Sequence, residues 1–272
     1  MKHLVLGSSG QIGAHLVKYL QSKGEQVYEF DIEYKTYHDL RISDNMALST
    51  YMDTCDFVHF LAYDVGGAKY LEENQDKYEF IDNNMRIMSN TFELINQYKK
   101  PFIFASSQMS EMGYSSYGML KALGEKMTRD LGGLVVRFWN VYGYETDPAK
   151  SHVITDFIKM AKKEGTIKMR TDGTESRQFL YAEDACEALL TLCKEYNNLD
   201  KTEDYCITSF KWSKVYEIAN ILDILSSCEV IPSDKKDETQ RNAMNEPSSY
   251  IKQFWQPKTS LEEGIMKLYN LY

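Results

Sequence analysis

Residues 1–31 read MKHLVLGSSGQIGAHLVKYLQSKGEQVYEFD, and this stretch decides the fold. Lys2–Leu6 is a short apolar strand that runs straight into glycine. Ile12–Gln21 has the apolar spacing of an amphipathic helix, and Gln26–Phe30 is strand-like and ends at Asp31. Strand, glycine turn, helix, strand is the order of one crossover unit. Working outward, strands at Phe57–Ala62, Pro101–Ala105 and Leu134–Phe138 alternate with helical stretches at Tyr78–Tyr98 and Tyr117–Leu131. A parallel pair needs a covering crossover, so the alternation predicts an α/β fold with a doubly wound parallel sheet up to about Gly143.

The rest is less regular. Val153–Lys163, Asp184–Tyr196, Trp212–Leu225 and Leu261–Tyr269 read as helices, Thr166–Arg170 as a strand, and the charged run Ser233–Asn245 as a solvated loop. The expected division is 1–143 for the sheet domain and 144–272 for a smaller α/β lobe closing over it, from which some segments can return to the sheet. The 272 residues hold 31 Lys plus Arg against 40 Asp plus Glu, a formal charge of −9. That balance disfavours nucleic-acid and lipid surfaces, which need a positive field. The apolar fraction of 43% is enough for a core. No run approaches the ~18 apolar residues of a membrane span, and the start lacks a signal-peptide pattern. Cys55, Cys186, Cys193, Cys206 and Cys228 form no CxxC pair and read as buried thiols of a reducing, cytoplasmic compartment. The five histidines form neither HxxxH nor HExxH, so no metal is expected.

Gly7-Ser-Ser-Gly10-Gln11-Ile12-Gly13 is a GxxGxxG turn between a strand and a helix. Missing β-carbons there let a diphosphate approach the main-chain N–H groups and the positive helix end. Asp31, followed by Ile32, ends the next strand, where a carboxylate can accept both ribose hydroxyls of NAD and would repel the 2′-phosphate of NADP. NAD is therefore the expected cofactor. Asp39-Leu40 can frame the adenine, and Leu61-Ala62-Tyr63 follows the third strand where a ribose or nicotinamide would pass.

Tyr117-Gly-Met-Leu-Lys121 puts a phenol and an ammonium on one helix face, and Ser106-Ser107 ends the preceding strand at the carboxyl edge of the sheet, where ligands of such folds bind. In these roles Tyr117 removes or returns an alcohol proton, Ser107 hydrogen-bonds the same oxygen, and Lys121 stabilises the tyrosinate and holds the nicotinamide ribose.

With those segments in view, the chain resembles the extended short-chain dehydrogenase/reductases of the NAD-dependent epimerase/dehydratase family. The likeness rests on GSSGQIG, Asp31, DL at 39–40, HFLAY from His59, Asn84, ASSQ, YGMLK, RFWNVYG from Arg137, DGTESRQFLYAEDACEAL from Asp172 and WQPKTSLEEGI from Trp255. It implies a Rossmann-type NAD domain, a nucleotide-sugar substrate and a homodimer through a four-helix contact of Tyr78–Tyr98 and Tyr117–Leu131. It further implies that Asn84 helps hold the active-site end of the Tyr-Lys helix and that Asn140 and Val141 lie near nicotinamide or substrate. Arg177 would grip the substrate diphosphate, with Arg241 as a weaker second contact.

The residues after Ser107 sort the reactions. Dehydratases of the family carry Asp-Glu there; this chain has Gln108-Met109, which cannot supply acid and base at neutral pH. Asp64-Val-Gly66-Gly67 and Ser151-His152-Val-Ile resemble GDP-fucose synthases and GDP-mannose 3,5-epimerases, whose acid/base matches His152, but their proton-accepting cysteine falls at Gln108. What remains is reversible oxidation at C4 of a nucleotide-activated sugar, a GDP-sugar first, as a 4-epimerase or 4-dehydrogenase. The alternatives are a nucleotide keto-sugar reductase and a non-catalytic NAD-binding scaffold.

Overall fold

A computed structural model describes residues 1–145, 147–241 and 244–272. In chain order its elements are β1 (Lys2–Leu6), α1 (Gln11–Ser22), β2 (Gln26–Phe30), α2 (Met46–Thr54), β3 (Phe57–Phe60), α3 (Ala68–Asn74), α4 (Tyr78–Tyr98), β4 (Phe102–Ser107), α5 (Ser116–Asp130) and β5 (Leu134–Phe138). Then follow β6 (Asn140–Tyr142), α6 (Val153–Glu164), β7 (Thr166–Lys168), β8 (Ser176–Arg177), β9 (Phe179–Tyr181), α7 (Ala182–Lys194), β10 (Asp204–Ile207), β11 (Ser213–Lys214), α8 (Val215–Ser226), β12 (Glu229–Ile231) and α9 (Leu261–Leu271).

Six strands form one parallel sheet in the order β10-β5-β4-β3-β1-β2. The doubly wound expectation holds. Sequence order reverses between β1 and β3, and the crevice at such a switch point is where ligands of open α/β sheets sit. Alternate residues of β1 feed opposite layers, as the two-residue period of a strand requires. Val5 packs with Leu16 and Leu20 of α1 and Ala185 and Leu189 of α7, whereas Leu4 and Leu6 pack with Met52 of α2 and Phe92 and Ile95 of α4. Phe60, Phe92 and Phe104 meet ring to ring at 5.3–5.5 Å, and each fully buried side chain of this size contributes roughly 1.5–3 kcal/mol. A third core joins α6, α8 and α9 through Ile158, Ile218, Leu222 and Leu268.

The structure departs from the sequence reading at several ends, for local reasons. β3 stops at Phe60, because Leu61–Tyr63 leave the sheet to line the cleft. The helix expected from Trp212 starts at Val215, since Ser213 and Lys214 pair antiparallel with Arg177 and Ser176. α2 was not expected; its start is marked by Asn45, whose Oδ1 accepts the Leu48 N–H at 3.0 Å. α3 and β10 were also missed, both too short for a periodic signal. The run expected to be a solvated loop is partly buried: Asp237 and Thr239 line the cleft. Among the described residues, no helix is long and apolar enough to cross a membrane.

Candidate active site

The cleft at the carboxyl ends of the strands has a volume of about 1530 Å³ and is lined by the glycine turn, the ends of β2, β3 and β4, α5, and the lobe built on α6. At its floor Gly7 has φ +82, and a β-carbon there would lie 2.7 Å from the Ala62 main chain. A β-carbon at Gly13 would lie 2.0 Å from the Gly7 carbonyl oxygen. The turn is therefore packed main chain on main chain. α1 opens at Gly10 with no side-chain cap and no acid in its first turn, which leaves the leading N–H groups, including those of Gln11, Ile12 and Gly13, for an anion. Asp31 Oδ2 accepts the Ser9 N–H at 2.9 Å and Oδ1 the Glu33 N–H at 3.1 Å, which orients the carboxylate beside the turn, with Ile32 on the same wall. These residues fit the diphosphate and ribose of a dinucleotide. Further along, Asp39 is held by Arg41 through Nε at 2.9 Å and Nη2 at 2.9 Å. Burial pushes the Asp39 carboxyl up, but Arg41 outweighs it and holds it below the ordinary range. Leu40, Leu61, Ala62 and Tyr63 complete this wall.

The structure brings Ser107, Tyr117 and Lys121 together at this cleft. Ser107 ends β4, its Oγ accepts the Met109 N–H at 3.2 Å, and its hydroxyl acts to lower the pKa of the Tyr117 phenol. Burial nevertheless pushes that phenol up to about 12. Four residues on, the Lys121 Nζ donates to the Ala105 carbonyl at 2.6 Å and sits 3.5 Å from the centroid of the Tyr63 ring. Burial pulls its ammonium down to about 7, against the opposing charge of Glu125. α5 can lie this close because Gly118 has no side chain: a β-carbon there would meet the Met109 carbonyl oxygen at 2.1 Å. Ser106 also lines the cleft, but its hydroxyl is turned to Glu125 Oε1 at 2.6 Å. Glu125 in turn receives Arg137 through Nε at 2.8 Å and Nη2 at 2.7 Å, a buried bidentate pair behind the reacting groups. The sequence reading missed Glu125, although it stands four residues past Lys121 on the same face.

On the substrate side, two distant segments meet. The Gly67 N–H donates to the Lys150 carbonyl at 3.1 Å, and a β-carbon at Gly67 would be 2.3 Å from the Ser151 carbonyl oxygen. Gly66 is equally tight, against the Tyr70 side chain. Beside them His152 Nδ1 lies 2.5 Å from Glu145 Oε1, and Glu145 Oε2 accepts the His152 main-chain N–H at 3.1 Å. Burial drives the Glu145 carboxyl up, but the His152 contact prevails and keeps it low. Glu145 was another omission. Arg177 lines the cleft but is buried and paired with Asp237, and its Nη1 donates to the Ser176 carbonyl at 2.6 Å. Burial lowers its pKa. Asn140 lines the cleft while its Oδ1 is buried without a hydrogen-bond partner, and the Val141 carbonyl accepts Gln11 Nε2 at 2.9 Å.

Three residues named from the sequence lie off the cleft lining. Asn84 is fully buried; its Oδ1 accepts the Asp64 N–H at 2.8 Å and its Nδ2 donates to the Asp64 and Phe80 carbonyls, so it clamps the loop after β3. Arg241 is exposed and stacks 4.3 Å over the Tyr114 ring, outside the cleft lining. Gln108, unlike Met109, is behind the wall, with its Nε2 donating to Gln240 Oε1 at 3.1 Å.

Comparison with known proteins agrees with this fold. A GDP-L-fucose synthase of Sinorhizobium fredii is 32% identical over 143 residues, 49% of this chain and only 44% of the synthase's own length. A GDP-mannose 3,5-epimerase of Oryza sativa subsp. indica is 26% identical over 97% of this chain and 80% of its own. The solved structure of a UDP-glucuronic acid 4-epimerase from Bacillus cereus, in complex with UDP-glucuronic acid and NAD, shares the fold at a TM-score of 0.83, with 20% identity and 100% of both chains covered. The sequence model of the NAD dependent epimerase/dehydratase family matches residues 3–208, from within β1 to just past β10. The match therefore takes in every strand of the main sheet together with Ser107, Tyr117 and Lys121, and the chain belongs to the NAD dependent epimerase/dehydratase family.

Proposed function

We propose that the protein is an NAD-dependent 4-epimerase of a nucleotide-activated sugar. The observation that carries this reading is the Ser107, Tyr117 and Lys121 group at the cleft, with Gln108-Met109 and no carboxylate pair beside it. Gly7, Gly10, Gly13 and Asp31 would hold NAD, which supplies a reversible two-electron acceptor at the sugar carbon. Tyr117 Oη takes the proton of the C4 hydroxyl and later returns it. Ser107 Oγ hydrogen-bonds the same oxygen, and the Lys121 ammonium favours the ionised phenol by its charge. Asn140, on the cleft wall, is the candidate partner of a sugar hydroxyl, and Arg177, beside Asp237, that of a diphosphate.

GDP-sugars are the first class to test, because the contact of Gly67 with Ser151 joins the two segments through which the chain resembles GDP-sugar enzymes. UDP-sugars follow, supported by the fold shared with the UDP-glucuronic acid 4-epimerase. A homodimer through α4 and α5 is part of the same reading, supported by exposed Met85, Met119 and Leu123 on those helices.

The test is incubation with GDP-, UDP- and dTDP-sugar panels, following NADH absorbance and product stereochemistry together. A C4 epimer without stoichiometric NADH is the expected result, and Tyr117→Phe should retain NAD binding while turnover drops ~10²–10⁴-fold. Net NADH with a 4-keto product would replace epimerase by dehydrogenase, and no turnover with any sugar would remove both.

A further inference from the structure

The histidines that look unrelated in the sequence meet in the fold. β1 and β3 are parallel neighbours in a register that sets His59 opposite Val5, so His3 and His59 emerge on the same face one pleat apart. His3 Nδ1 lies 3.0 Å from His59 Nε2, and the Cys193 sulfur of α7 closes a triangle in which all three ligand atoms are within 4.8 Å of one another. All three residues are buried, and none lines the cleft. This is the only such group of His, Cys, Asp and Glu side chains among the described residues.

As a neutral imidazole pair, the arrangement is incompletely satisfied. One ring proton bridges the two histidines, and His59 Nδ1 and His3 Nε2 are left buried with no hydrogen-bond partner. Such orphans are uncommon in folded proteins and call for an explanation. Beyond the free edge of His3, Glu25 Oε2 lies 3.5 Å from Nε2. A carboxylate behind the second nitrogen of a histidine is the usual outer partner of a metal-bound imidazole. A Met1 Sδ also lies 3.5 Å from the Cys193 sulfur.

We propose that His3, His59 and Cys193 bind a single d10 metal ion, Zn(II) or Cu(I), at a structural site separate from the reaction cleft. Two imidazole nitrogens and one thiolate suit these soft or borderline ions. Tetrahedral ligands at ordinary zinc bond lengths stand about 3.3–3.6 Å apart; the two imidazole nitrogens, 3.0 Å apart, reach that by separating slightly, and the Cys193 sulfur, within 4.8 Å of them, by closing in by up to about an ångström. Cys193 binds as the thiolate and releases its proton to solvent. The Met1 thioether would favour Cu(I) in the fourth position, and water there would favour Zn(II). The ion would tie β1 and β3 to α7, so its binding adds to folding stability.

The test uses the full chain, untagged, reduced and stripped with a chelator. Anaerobic titration with Co(II) should give a thiolate-to-cobalt charge-transfer band that saturates at one equivalent and is erased by Zn(II); Cu(I) is tested by competition with a chromogenic chelator. Saturating Zn(II) or Cu(I), at about a hundred times Kd, should raise the thermal midpoint by about 5–10 °C. Cys193→Ser should lose band and shift together, while Cys228→Ser, a buried cysteine outside the group, keeps both. No charge-transfer band and no Cu(I) retention by the wild-type chain would overturn the site, whatever becomes of the variants. Stoichiometric binding that persists in both Cys193→Ser and His59→Gln would overturn the ligand assignment.

Discussion

The buried ammonium of Lys121 donates to the main-chain carbonyl of Ala105 at 2.6 Å, which ties the reactive helix face to the carboxyl end of the central strand β4. This contact does not repay the desolvation of the charge, because burial still pulls the lysine from 10.5 down to about 7. A lysine whose folded pKa lies below its unfolded one carries fewer protons when folded. The destabilisation contributed by Lys121 is therefore absent above pH 10.5, grows as the pH drops towards 7, and applies in full below that. The difference corresponds to about 5 kcal/mol. Lys121→Met should accordingly melt higher than the wild type at pH 7 in the absence of NAD, with the gap closing towards pH 10.5, while turnover falls at least ~10²-fold. Melting curves of both proteins across that range check it; parallel pH dependence would show that Lys121 is not the titrating group.

Asp31 is engaged by two main-chain N–H groups, from Ser9 and Glu33, and is thus preset for a ligand rather than free to swing away. A fixed carboxylate beside the turn accepts ribose hydroxyls and opposes a 2′-phosphate. Asp31→Ala should weaken NAD by ~10–100-fold, the scale of hydrogen bonds to a charged group, and leave NADP equal or improved. Calorimetric titration of both cofactors decides this, and an unchanged preference for NAD would move the discrimination to another residue.

What the sequence made legible was what lies close together along it. The glycine turn, Asp31, Ser107 and the Tyr117–Lys121 pair each depend on a spacing of a few residues within one element or at its end, and local periodicity reports those. The partners that finish the site come from afar. Glu125 meets Arg137 across a strand boundary, Arg177 meets Asp237 sixty residues on, and His3 meets His59 through strand register. No short-range pattern encodes these pairings. The same limit applies to two of the three residues that lie off the cleft lining: Asn84 and Arg241 were carried by resemblance and a charged context, and only packing shows that one clamps Asp64 while the other stacks on Tyr114. β10 is the strand of the main sheet that the sequence reading missed, four residues whose place beside β5 is set by tertiary contacts.

Arg177 and Asp237 form a buried pair at the cleft wall, and Asp237 also accepts the N–H groups of Thr239 and Gln240, so the acid holds both the arginine and its own loop. Removing one member of a buried pair leaves the other uncompensated, at a cost of about 3–5 kcal/mol. Asp237→Asn should therefore lower the thermal midpoint. If Arg177 receives the substrate diphosphate, a bound nucleoside diphosphate supplies the missing negative charge, and the stabilisation it gives should be larger in the variant than in the wild type. Thermal shifts with and without GDP and UDP measure this. Equal shifts in the two proteins would mean that the arginine serves only to hold the loop.

The contact of His152 with Glu145 separates two chemistries that the family fold can host. A histidine oriented by a buried carboxylate can move a proton at carbon, but epimerisation at C3 or C5 needs a second group on the other side of the sugar. The position that would carry it is Gln108, an amide that lies behind the cleft wall against Gln240 and cannot accept a carbon-bound proton. In the proposed C4 reaction Ser107, Tyr117 and Lys121 would suffice, and the hydrogen on carbon would leave and return without meeting solvent. Product formed in deuterated water should therefore carry no deuterium on the sugar ring, and His152→Asn should change the rate by no more than ~10-fold, the loss of a hydrogen-bonding rather than proton-transferring group. Mass spectrometry and proton NMR of the product read both at once. Deuterium at C3 or C5, abolished in His152→Asn, would make His152 the working base and shift the reaction from C4 to its neighbours.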